Sequence, residues 1–160
     1  QGLKPYGTET MHLLRAEKGY IIVGQDTDGS ITPLDLGLDW MIGKSKKDFL
    51  GKRSLIRSDT IRKDRKQLVG ILPINKNDRL EEGQHIILDK EIKTPMPMLG
   101  HITSCYQSPT LGHNFALAVI KNGQSLIGTK AFASTPELKT IEVEIVEPNF
   151  YDKENTKLAS

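Results

Sequence analysis

Apolar and polar positions along the chain change rhythm once, near residue 65. Before that point apolar residues fall in short, irregular groups. Met11, Leu14 and Arg15, following Gly7-Thr8-Glu9-Thr10, keep a three-to-four spacing that predicts a helix capped by Thr8 or Thr10. Gly19 is placed to end it in the left-handed region. The β-branched run Tyr20-Ile21-Ile22-Val23, closed by Gly24, predicts a short strand. Asp28-Gly29 marks a turn in the loop 26–30, and Thr32-Pro33 reads as a cap followed by proline at the first helical position. Leu38 to Ile42 is a further short apolar segment. Lys47-Asp48 is expected to open another helix, with Leu50, Ser54, Leu55 and Ile56 as a narrow buried face. Arg57 to Lys66 is highly charged and reads as a helix end and a solvated connection.

From Lys66 onward the pattern is that of strands. They are predicted at 66–72, 84–88, 99–106, 114–121, 128–133 and 139–147, each bounded by Gly, Pro, Asn or Ser. In the last, Ile141, Val143 and Ile145 alternate with Glu142 and Glu144, which makes one face buried and one wet. Asn122-Gly123 predicts a tight hairpin. Six short strands separated by turn residues argue for a small closed or sandwiched β barrel. The expected class is α+β, divided into residues 1–65 and residues 66–160.

Composition narrows this picture. A chain of 160 residues makes one ordinary domain, or one domain plus a fragment of another. With 37% hydrophobic and 26% charged residues it is neither disordered nor membranous, and no apolar run approaches the roughly 20 residues that span a bilayer. Twenty-two basic against 20 acidic residues leave a net charge of +2, which argues for neither nucleic acid nor an anionic membrane as partner. The single cysteine excludes an internal disulfide and supplies too little thiol for a structural zinc site. A cytoplasmic globular protein is expected. The chain opens Gln1-Gly2-Leu3 without an initiator methionine, as a piece of something longer would.

Candidate chemistry is sparse. His12, His85, His101 and His113 show no metal-ligand spacing, and Cys105 has no base beside it in the sequence. The glycines form neither a GxxxxGK nor a GxGxxG loop. Arg15 and Glu17 stand apart. Two positions apart on a helix, their side chains diverge by roughly 200°, so each serves a separate partner. From the residues alone two readings stay open. One is a solvated surface pair. The other is a carboxylate accepting from the N–H groups of a heterocycle, or an arginine holding a carboxylate tail.

The order of several blocks is more informative than any one of them. Pro5-Tyr6-Gly7-Thr8-Glu9, Leu14-Arg15-Ala16-Glu17-Lys18-Gly19, Thr32 to Trp40, Phe49 to Arg53, Lys66 to Gly70, Gly100 to Ser104, Ser108 to Gly112 and Pro148 to Asp152 together resemble the aminomethyltransferase (glycine-cleavage T-protein) superfamily. Within it the wording is most similar to the α subunits of heterotetrameric sarcosine oxidases. The resemblance implies a tetrahydrofolate-binding module, with residues 1–65 as the tail of a folate-binding α/β domain and residues 66–160 as the C-terminal barrel. It implies that sarcosine is demethylated oxidatively to glycine and that its one-carbon unit passes to tetrahydrofolate as 5,10-methylenetetrahydrofolate. FAD, FMN and NAD are then expected elsewhere in the holoenzyme, and the β, γ and δ subunits as partners. The acidic residue and the pterin-gripping stretch of the family would lie upstream of Gln1, so no catalytic residue is assigned here. A folate-contacting arginine of the T-protein aligns with Met11 and does not carry over. His12, Arg15, Glu17 and Tyr151 are expected to line or support the folate site, whereas Thr103, Ser104 and the turn 108–112 are expected to be structural. A T-protein-like aminomethyltransferase and a non-catalytic docking barrel are the alternatives.

Overall fold

A computed structural model describes residues 2–157, so the last three residues of the second expected unit lie outside the described residues. Six strands close into a barrel: β1 (Lys66–Pro73), β2 (His85–Ile87), β3 (Gly100–Ser108), β4 (His113–Lys121), β5 (Lys130–Ser134) and β6 (Thr140–Val146). Their order around the barrel is β1-β4-β3-β2-β5-β6, all neighbours are antiparallel, and β6 closes onto β1. The expected six-stranded barrel is therefore present, in its closed form. Closure leaves no unpaired strand edge.

The period of two sorts the strands into two cores. Val69, Ile71, Ile86, Ile102, Ala118, Ile120, Val143 and Ile145 fill the interior. Leu68, Phe115, Leu117 and Val119 point outward from β1 and β4, where they meet Ala16, Leu13, Ile21, Leu36 and Phe150. The outward face of a barrel strand normally meets water. Here the N-terminal segment and the C-terminal tail cover it.

That segment holds one α-helix, α1 (Thr8–Glu17), with Ala16 and Glu17 buried. Gly7 rather than Thr8 or Thr10 occupies the cap position, without a side-chain cap bond. Gly19 does adopt a left-handed conformation, φ +71°. A Cβ there would lie 2.6 Å from the Pro148 carbonyl oxygen, so glycine serves both the turn and the close approach of the tail.

Four local expectations give way to tertiary structure. Residues 20–23 form no strand, only an isolated bridge from Val23 to Thr27, because every strand of the closed barrel already has both neighbours. Thr32-Pro33 starts a hydrogen-bonded turn, and 38–42 holds a single 3-10 turn at Asp39–Met41. The helix expected after Lys47 is another 3-10 turn, Lys52–Ile56, and most of its expected buried face is exposed: Leu50 by 103%, Ile56 by 70% and Ser54 as well, with only Leu55 half-buried. Asn122-Gly123 closes no hairpin. Asn122 is left-handed (φ 54°) and leads into a 3-10 turn, and β5 then pairs with β2 and β6 rather than β4. No helix among the described residues is long and apolar enough to cross a membrane.

Candidate functional site

A polar cluster lies between α1 and β3. The Arg15 guanidinium reaches across the helix's flank, donating through one terminal nitrogen to Asp26 Oδ2 (2.5 Å) and the Tyr20 carbonyl (3.1 Å). Its other terminal nitrogen reaches Ser104 Oγ (2.8 Å) and Tyr106 Oη (3.2 Å). Asp26 is buried and takes two more hydroxyl donors on its second oxygen, Thr103 at 2.5 Å and Ser104 at 2.6 Å, while the Ile22 amide donates to Oδ2.

A bulge in β3 makes this possible. Ile102 faces Ala118 and Ser104 faces Leu117, leaving Thr103 as the extra residue. In a regular strand two consecutive hydroxyls would point to opposite faces. The bulge puts both on the outside of the barrel, against one carboxylate oxygen. A buried carboxylate ringed by donors and paired with a guanidinium satisfies the rule that buried charge must be matched. Among the guanidinium nitrogens only the buried Nε lacks a partner.

Glu17 sits at the other side of the helix end, 2% exposed. Ser108 Oγ donates to its Oε1 (2.5 Å), and the Leu111 amide donates in turn to that hydroxyl (2.9 Å). The Glu17 backbone carbonyl accepts from the Phe150 and Tyr151 amides at 2.9 and 3.0 Å. The C-terminal tail is thereby strapped across the helix end, and Lys18 Nζ holds it further at the Asp152 carbonyl (2.7 Å). Phe150 then lies against Phe115, ring centroids 4.7 Å apart, over Gly70, where any Cβ would stand 2.7 Å from the Phe150 ring.

Arg15 and Glu17 thus do take separate partners, as their spacing predicts, but these are protein groups rather than solvent: Asp26 in the loop after α1 with Ser104 and Tyr106 of β3 for Arg15, and Ser108 of β3 for Glu17. The surface-pair reading fails, because burial of the helix end could not be read from the spacing of two residues. His12 is half-buried on α1 and makes no hydrogen bond or ion pair among the described residues. Tyr151 is half-buried on the tail, and its hydroxyl accepts from Lys157 Nζ (2.7 Å). The structure brings Arg15 and Glu17 to opposite sides of one helix end, with Tyr151 above it. Grooves on the surface lie elsewhere: one of about 380 Å3 between Glu82, His85, Met96 and Leu138, another of about 170 Å3 beside Leu72, His113 and Phe150, neither lined by the four expected site residues.

Sequence reasoning missed Asp26, which sits in a stretch that reads as a loop. It also missed Arg65, placed in a solvated connection and in fact buried, its Nε and Nη2 forked onto Asp35 at 2.6–3.0 Å. Asp35 pays desolvation, which raises its pKa, but the bonds from Arg65 and Thr32 outweigh it and hold the carboxyl below its ordinary 3.8. Cys105 is half-buried, and burial together with Glu82 pushes its thiol up to about 11.

Comparisons with known proteins bear on the family and the fold. A profile of the glycine cleavage T-protein C-terminal barrel domain matches residues 66–152, and one of the GCVT N-terminal domain matches residues 1–46. The chain is similar to a sarcosine oxidase subunit alpha of Corynebacterium sp. (strain P-1), 56% identical over 128 residues, 79% of this chain and 13% of that one. The same-named subunit of Corynebacterium sp. (strain U-96) is 45% identical over 97% of this chain and 16% of its own length. An aminomethyltransferase of Clostridium botulinum (strain Okra / Type B1) is 31% identical over 96% of this chain and 39% of its own. The crystal structure of the glycine cleavage system aminomethyltransferase T from Bartonella henselae shares the fold, with a TM-score of 0.71 at 22% identity over 88% of this chain and 37% of that one. The chain spans only 13 to 16% of the length of the two sarcosine oxidase subunits.

Proposed function

The chain belongs to the family of the glycine cleavage T-protein C-terminal barrel domain, and from that premise we propose that it is the C-terminal, folate-side part of a sarcosine-oxidase-type α subunit. Residues 1–65 would complete a folate-binding domain whose larger part is supplied by other residues of the polypeptide, and residues 66–160 would form the barrel beside it. The whole enzyme would demethylate sarcosine oxidatively to glycine and pass the one-carbon unit to tetrahydrofolate. FAD, FMN and NAD would be bound outside these residues, and the β, γ and δ subunits would assemble with this one.

The observation that carries the reading is the higher identity, over essentially the same span, to sarcosine oxidase subunits than to an aminomethyltransferase. Met11, at the position of a folate-contacting arginine in the T-protein, fits the same preference. The geometry supports a division of labour among the four site residues. Arg15 and Glu17 commit their polar groups to Asp26 and the barrel and hold α1 in place. His12, half-buried and with both ring nitrogens free among the described residues, is left as the group able to meet a heterocycle. Met11 and Leu14, each 48% exposed, flank it on the outward side of α1 and are matched by this reading to the remainder of the folate domain.

Calorimetric titration of the complete subunit with folinic acid tests the proposal. Binding that is weakened by His12→Ala without a change in melting temperature is expected, and Glu17→Ala is expected to weaken it together with a loss of stability. Absence of binding by the complete subunit overturns the reading. One-carbon transfer that needs a lipoyl carrier protein and no flavin would replace it with the aminomethyltransferase alternative.

A further inference from the structure

The near-balance of charge over the whole chain conceals a segregation. Between Lys44 and Arg57 stand six basic side chains and one acidic one, a net of +5 in a chain whose total is +2, so the remainder carries -3. None of Lys44, Lys46, Lys47, Lys52, Arg53 or Arg57 makes an ion pair among the described residues; Lys52 donates only to the Lys46 and Lys47 carbonyls. The contrast with the next stretch is sharp. Arg62 is paired with Asp59 and Asp64, and Arg65 with Asp35 and Asp59. The same stretch of sequence holds exposed apolar side chains: Trp40 and Met41 just before the cations and Leu50 and Ile56 among them, the least of them 63% exposed. Most of this stretch falls between the two family matches, which end at residue 46 and resume at 66.

We propose that this cationic, apolar-tipped arm, roughly residues 40–57, is a docking surface for an acidic face of another polypeptide, a partner subunit. The proposal rests on the multi-subunit reading above. Five uncompensated positive charges repel one another on the free chain, and an acidic surface would relieve that repulsion while steering encounter. Fully exposed Leu50 and largely exposed Ile56 call for an apolar pocket to remove them from water, and Trp, Met and Arg, though not Lys, are types enriched in protein interfaces. Two other polyanions fit less well. Surface binding to a membrane uses an amphipathic helix, and the arm has only 3-10 turns at Asp39–Met41 and Lys52–Ile56. Nucleic acid wants several stacking aromatics among the cations, whereas of the four exposed apolar side chains here only Trp40 is aromatic.

The test uses the complete subunit and its co-expressed partner subunits. Lysine methylation footprinting is expected to label Lys44, Lys46 and Lys47 in the isolated subunit and to find them protected in the assembled enzyme. The triple reversal Lys46→Glu, Lys47→Glu, Arg53→Glu is expected to weaken assembly at least about tenfold by analytical ultracentrifugation, with the remaining affinity less dependent on salt. Leu50→Ser, at a side chain with no packing to lose, is the second variant should the triple one fail to fold, and it is expected to weaken assembly as well. Protection of these lysines already in the isolated subunit overturns the proposal, since other parts of the same polypeptide would then cover the arm. So does labelling that is equal in both states, assembly unchanged by both variants, or arm-dependent capture by phosphatidylserine vesicles. Folinic acid titration of the same preparations separates the two readings: unchanged folate affinity with lost assembly supports the arm, and absent folate binding with arm-dependent assembly removes only the proposed function.

Discussion

Removing the Asp26 carboxylate should do more damage than removing any single apolar side chain around it. In Asp26→Ala the Arg15 guanidinium, whose side chain is 10% exposed, keeps its charge but loses its counter-charge. Some partners survive. Arg15 still reaches the Tyr20 carbonyl, Ser104 and Tyr106, and the Thr103 hydroxyl still has the Leu117 carbonyl at 3.3 Å. The Ile22 amide loses the Asp26 side-chain acceptor. The largest loss is therefore the uncompensated buried charge, for which breaking one side of such a pair costs about 3–5 kcal/mol. In a chain of this size that corresponds to a fall in melting temperature of roughly 10 °C, at about 2–4 °C per kcal/mol. Urea unfolding followed by circular dichroism measures it. The double variant Arg15→Met, Asp26→Leu removes both charges and should recover at least about 2 kcal/mol of the loss, since apolar replacement of a buried pair is often close to neutral. A loss below about 1 kcal/mol for Asp26→Ala would show that water reaches Arg15 and that the cluster does not lock α1 to the barrel.

Two further predictions follow from single positions. Gly19→Ala should destabilise by about 2 kcal/mol or more, combining a left-handed conformation with a contact at 2.6 Å, whereas Gly24→Ala, also left-handed but facing open space, should show only the conformational part; equal losses in denaturant titration would remove the tail contact as a factor. Burial, then the charges of Lys66 and His85, hold His101 below its ordinary 6.5, so folding favours its neutral form; stability should decline as pH falls below about 6.5 and level off below the folded value, and His101→Gln should flatten that decline. An unchanged slope in the variant would place the titration elsewhere.

How much of this was legible beforehand differs by region. The six strands follow from local alternation, because a barrel strand has the same inside-outside demand at every second residue whichever strands it neighbours. Ile141, Val143 and Ile145 illustrate it, and so does the left-handed Gly19. The expected helix after Lys47 fails for the opposite reason. Apolar periodicity says which side chains share a face and nothing about whether anything lies against that face, and around Leu50 nothing in these residues does.

The site shows the same limit more sharply. The residues at the end of α1 were recognisable as unusual, and their divergence by position alone assigned them different partners. Which partners could not be known. Arg15 lies 89 residues from Ser104 and 91 from Tyr106, and Glu17 lies 91 from Ser108. Sequence by itself determined the barrel, its strand boundaries to within a few residues, and the left-handed turn after the helix, all matters of local sterics and period. Tertiary structure alone decided strand order, the bulge that turns Thr103 and Ser104 toward one carboxylate, and the burial that makes Arg15, Asp26 and Glu17 the fastening of the helix. Those depend on which distant surfaces meet, and the electrostatic cost of burying a charge is fixed only once they have.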